Sequence, residues 1–195
     1  GLVLTAQEIR HALFQGKATR LLQELATTKE YRSAIDYGVS DSRMDARECV
    51  LRFLAFYTTP YSEYEKPDLN AFLSNAMEKI NSLEPQSIEQ LKGVFKTAMK
   101  RASTVFGNRA FRKYNPETGR RGPVNKALFE SWANVLLFYP ENDLTECRKQ
   151  ISENLWHAFQ NDSEYSRSLS AGTGSRTSVK IRFEKADQLI RKSIQ

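Results

Sequence analysis

Residues 68–106 read DLNAFLSNAMEKINSLEPQSIEQLKGVFKTAMKRASTVF, and their pattern decides the fold class. Leu69, Phe72, Leu73, Ala76, Met77 and Ile80 recur at three- and four-residue steps behind Asp68, a residue suited to capping a helix start. Pro67 and Pro85 bracket this helix. Ser87 and Gln90 read as a capping box for a second helix. There Leu91, Val94, Phe95, Ala98, Met99, Ala102 and Phe106 keep the helical period for about five turns until Gly107.

The same signals recur on both sides. Thr5 and Glu8 form a capping box, with Gly16 as the stop of that first helix. Leu21, Leu22 and Leu25 mark a second helix, and Thr27-Thr28-Lys29-Glu30 opens a third that ends by Gly38. From Asp41 to Tyr57, apolar Met44, Val50, Leu51, Phe53, Leu54 and Phe56 surround much of the helix, which places it at the centre of the core. Asn125 caps a strongly apolar helix that stops at Pro140. Asp143 and Glu146 begin another through Leu144, Cys147, Ile151, Leu155 and Phe159, and Val179, Phe183, Ala186, Leu189 and Ile190 mark a last, basic helix. The expectation is an all-α protein over 1–195, a single domain of about eight to nine helices. It comprises core helices at 5–106, a long basic loop at 107–124 and C-terminal helices at 125–195.

Composition excludes several function classes. With 40% apolar and 27% charged residues the chain matches a soluble globular protein, and no apolar run reaches the ~20 residues of a membrane helix. The amino end lacks the charge and apolar length of a secretory signal. Cys49 and Cys147 lie in apolar helical patterns and read as buried, reduced thiols, which points to the cytoplasm. His11 and His157 have no acidic or nucleophilic partner nearby in sequence. Without a Cys-x-x-Cys motif there is no set of zinc ligands, so no catalytic residue, metal site or cofactor is assigned to this segment.

Charge is concentrated. Lys92 to Lys126 holds ten basic residues against Glu117 alone, a local +9 in a chain whose net charge is +6. Such a stretch is the electrostatic footprint expected for DNA or a nucleotide phosphate. Its candidate phosphate contacts are Lys100, Arg101, Arg109, Arg112, Lys113, Arg120, Arg121, Asn125 and Lys126. Gly119 to Lys126 runs a glycine-flanked basic loop into a capped helix start, where free amides favour an anion, although the Walker spacing is missing. Phe106, Phe111 and Tyr114 are interleaved with these cations and would stack on unpaired bases if exposed. Arg43, Glu48 and Arg52 share one helix, with Glu48 and Arg52 spaced for an intrahelical ion pair, and are candidate contacts to another domain.

Ordered strings along the chain resemble the GmrSD-type restriction family, the DUF262-like proteins. They are Leu4-Thr5-Ala6-Gln7-Glu8-Ile9-Arg10, Leu21-Leu22-Gln23-Glu24-Leu25-Ala26, and Arg43-Met44 leading to Glu48 and Val50-Leu51-Arg52-Phe53-Leu54-Ala55-Phe56. Phe106-Gly107-Asn108-Arg109-Ala110-Phe111-Arg112, Asn125-Lys126-Ala127-Leu128-Phe129-Glu130, and Gly172-Thr173-Gly174 with Arg182-Phe183 follow. Ala46 departs from the pattern, because family members often carry an acid there. The resemblance implies a helical second half of a DNA-restriction or phage-defence protein. Its partner would be an N-terminal nuclease-like domain of the ParB and sulfiredoxin type bearing an Asp-Gly-Gln-Gln-Arg motif, which this sequence lacks. Full-length members resemble NTP-hydrolysing nucleases, whereas this segment by itself is not expected to turn over nucleotide. The alternative expectation is a scaffold that packs on that domain or forms homodimers without touching nucleic acid.

Overall fold

The computed structural model describes residues 2–195, and its architecture is all-α, as the apolar periods require. In order, the helices are α1 Ala6–Leu13, α2 Lys17–Ala26, α3 Lys29–Ala34, α4 Asp45–Thr58, α5 Leu69–Ser82, α6 Pro85–Phe106, α7 Lys126–Val135, α8 Glu141–Glu146, α9 Arg148–Asn161, α10 Ser163–Ser168 and α11 Arg176–Ile194. This exceeds the expected number because the segment after Pro140 breaks at Cys147, and the short α10 lies in a stretch too polar to show a period. A single cluster of buried side chains runs from Ala18 to Ile190. Helix α4 lies at its centre, against α2, α5 and α7. Phe53 meets Phe95 edge-on at 5.2 Å, and Phe56 packs on both Phe72 and Phe183. No helix among the described residues is long and apolar enough to cross a membrane. Both cysteines are free thiols, Cys49 buried and Cys147 half-buried.

Local signals worked where the cap is a side chain. Thr5 and Glu8 form their reciprocal box, and Asp68 and Asn125 accept from the amides of Ala71 and Leu128. The box at Ser87 does not form. Helix α6 begins instead at Pro85, whose fixed φ and missing N–H suit the first helical position, so Ser87 already lies inside the first turn. Gly16 does not end α1, which stops at Phe14. It sits where a Cβ would come within 2.6 Å of Asn81 Oδ1, and that same oxygen accepts from the Ala18 amide.

The segment expected as a loop at 107–124 is an antiparallel hairpin, β1 Arg112–Tyr114 with β2 Arg121–Val124. It is fastened from within. Arg112, 7% exposed, donates to the carbonyls of Ile35 at 2.7 Å and Gly122 at 2.9 Å, tying the hairpin to the end of α3. Gly38 makes room for this guanidinium, since a Cβ there would lie 1.9 Å from Arg112 Nη2.

Candidate nucleic-acid interface

The structure divides the expected phosphate contacts into two groups. The first is consumed internally. Arg101 donates to the carbonyls of Leu136 and Leu137, Arg112 is buried, and Arg121 pairs with Asp36 and also donates to the Asn108 carbonyl. Lys126 bridges Asp45 at 2.7 Å and Glu48 at 2.9 Å, and these carboxylates outweigh burial to raise its pKa. Asn125 caps α7 and donates to the Leu169 carbonyl, so the anion site expected at this helix start is already occupied by protein groups. Phe106, Phe111 and Tyr114 are buried, Phe111 against Phe129 and Tyr114 against Phe159, and none offers a stacking face.

The second group stays available. Lys100, Arg109 and Arg120 are exposed and form no ion pair among the described residues, and Lys113 makes only a 3.4 Å contact to the Ser166 carbonyl. Lys96, Lys100 and Thr104 are spaced four apart on α6 and so form one row along that helix. Thr104 opens onto a groove of about 650 Å³ between the end of α6 and the first turns of α9, where Arg109 is joined by Arg148 and Lys149. Arg148 and Lys149 lie outside the basic run of Lys92 to Lys126, and only the packing of α9 on α6 brings them to this face.

Arg43, Glu48 and Arg52 belong to a separate charged constellation. Glu8 accepts from Arg43 at 2.9 Å, and its carboxyl is held low, first by the Thr5 amide and then by Arg43 despite desolvation. Glu48 binds Arg52 and Lys126. Burial raises its pKa, but the two cations prevail and hold it below the ordinary carboxylate value. Arg52 also donates to the fully buried Glu130, whose other oxygen takes the fully buried Arg182. Burial lowers Arg52, and the two glutamates reverse that and raise it. Asp45, adjacent to Ala46, supplies Lys126 with its second carboxylate. Arg10, 3% exposed, reaches Gln7 at 2.9 Å and Asn70 at 3.0 Å. The burial of Gln7, Arg10, Glu130 and Arg182 is not legible in the sequence, because polar and charged side chains are ordinarily expected outside.

The constellation draws on four of the strings that carry the family resemblance: Leu4–Arg10, Arg43–Phe56, Asn125–Glu130 and the Gly172–Phe183 region. Thr173 enters through its carbonyl, which accepts from Arg182 at 2.7 Å. Comparison with family models, curated proteins and solved structures finds no match. No group of three or more His, Cys, Asp or Glu residues suited to a metal occurs among the described residues.

Proposed function

We propose that this chain is the helical half of a GmrSD-like DNA-restriction or phage-defence protein, holding the DNA backbone for a nuclease-like domain. The observation that carries the DNA-binding part is the α6–α9 face. Lys96 and Lys100 on α6, and Arg109 and Arg148 at the groove beside it, have no carboxylate partner among the described residues, and Lys149 has only a 3.9 Å contact with Glu153. Cations left free of internal partners can exchange condensed counterions for phosphate, which is the sequence-independent part of DNA affinity. Convergence of the family-like strings on one charged network supports the restriction context.

Reversing Lys96 and Lys100 to Glu is expected to weaken duplex DNA binding by about tenfold or more in fluorescence anisotropy, with unchanged circular dichroism. The same reversal at Lys29 and Arg32, exposed on α3, is the control and should change affinity far less. Equal affinities for both variants and the parent would reject the α6–α9 face.

A second reading, a scaffold that packs on the nuclease-like domain without DNA contact, is favoured by a different observation. Leu2, Val3, Leu4, Ile9 and Leu13 expose apolar surface beside the Glu8–Arg43 pair. Duplex binding that is absent at low salt would select it.

A further inference from the structure

A cavity of about 1290 Å³ opens where the ends of α4 and α7 meet α8 and α11, and none of its lining residues belongs to the α6–α9 groove. Its walls are aromatic. Phe56 and Phe183, each 3% exposed, form part of them, and Tyr61 stacks on Phe183 with ring centroids 4.8 Å apart. Tyr57 and Phe138 also line it while 42% and 80% exposed, so two large rings meet water beside one cavity.

The polar groups of the lining divide into those already committed and those still free. Asp187 accepts from the Tyr139 hydroxyl at 2.5 Å and from Arg191 Nε at 2.8 Å, which closes that side on itself. Asn134 is 5% exposed, and its Nδ2 donates to the carbonyls of Glu130 at 2.8 Å and Phe53 at 3.2 Å. Those two bonds fix the amide and leave Oδ1 as an acceptor that no described residue serves. Unlike the sealed side-chain atoms of the core, this oxygen keeps contact with solvent, and the cavity is where Asn134 is open. Asp143, half-buried, also lines the cavity and has no ion pair or side-chain hydrogen bond among the described residues. With Arg191 paired to Asp187, the Asp143 carboxylate is the uncompensated charge of the lining, in a chain whose net charge is +6. The Tyr61 hydroxyl reports the same sign, since its pKa is raised first by burial and then by Glu184 and Asp187.

We propose that this cavity binds an organic cation with an aromatic body, its ring among Phe138, Tyr61 and Phe183, its N–H donors toward Asn134 Oδ1 and its charge balanced by Asp143. Ring faces attract a cation through their quadrupole, and a nearly buried acceptor is satisfied only by a donor. An anion of the same shape would meet Asp143 and leave Asn134 unserved. DNA binding plays no part here, because a phosphate would be repelled.

Three small probes test the proposal by amide NMR on the intact chain: phenethylamine, phenylacetate with the same ring and the opposite charge, and butylamine with the charge and no ring. Phenethylamine is expected to shift the Asn134 side-chain amide resonance saturably, with phenylacetate and butylamine each weaker by about tenfold or more. Asp143→Asn and Phe138→Ala alter half-buried and exposed side chains, so their circular dichroism should match the parent. Each should weaken phenethylamine by about fivefold or more, and Asp143→Asn should also narrow the preference for amine over carboxylate, which a merely structural role would not do. The proposal is overturned by the absence of a saturable shift at millimolar phenethylamine, by phenylacetate or butylamine binding as tightly, or by an affinity unchanged in both variants.

Discussion

Replacing Glu130 with Ala is expected to destabilise the protein by about 3–5 kcal/mol, the cost of leaving a buried charge pair without one partner. Glu130 is fully buried, and its two oxygens accept from different arginines, Arg52 at 3.1 Å and Arg182. Arg182 is also fully buried, so it cannot turn to water when the carboxylate is removed. Through this one side chain α7 is joined to α4 and α11, three helices from distant parts of the sequence. For a chain of this size such a loss corresponds to a fall of about 10 °C or more in Tm. Urea denaturation checks the value. The double variant Glu130→Leu with Arg182→Met should recover much of it, since a well-packed apolar pair avoids the desolvation that the ion pair must overcome. A loss below about 1 kcal/mol for Glu130→Ala would mean that the guanidinium groups find other partners, and that this network does not bind the three helices together.

The second large effect is expected at Trp132. Trp132→Ala should cost about 3–5 kcal/mol, because the site is fully enclosed and can collapse only partly around the cavity. The ring stands edge-on to Phe106 at 5.0 Å, and its Nε1 donates to the Tyr165 hydroxyl at 3.0 Å. Tyr165 is itself fully buried, and its pKa is pushed up by burial, so losing the indole leaves a polar hydroxyl in an apolar surround. Trp132→Phe keeps most of the ring volume and should cost roughly half as much or less. Thermal melts of the two variants separate the packing contribution from the hydrogen bond. Equal and small shifts would show that the contact between α7 and α10 contributes little.

The helices were legible because each buries a stripe of apolar side chains, and that stripe repeats within a few residues. The caps at Thr5, Asp68 and Asn125 were legible for the same reason, since donor and acceptor lie three residues apart. The hairpin was not. Its strands are three and four residues long, include Gly122 and Pro123, and show no alternation of apolar and polar positions. Arg112 holds it through a carbonyl 77 positions away in sequence, a relation that no local pattern encodes. Similarly, ten cations along 35 residues suggested one continuous phosphate surface, but charge in sequence does not say which groups already have partners. Lys126, Arg121 and Arg112 are spent on Asp45, Glu48, Asp36 and backbone carbonyls. The aromatic side chains among them turned inward because each completes the core between α6, α7 and α9. Arg148 and Lys149 could join the face only once the chain had folded.

The DNA-binding claim is tested most directly by the affinity of the unaltered chain for duplex DNA between 50 and 200 mM salt. With about four phosphates neutralised by the α6–α9 face, log affinity should fall against log salt with a slope of about −3 to −4, close to a hundredfold loss over that range. An affinity that does not change with salt, or no measurable binding at 50 mM, would contradict the account.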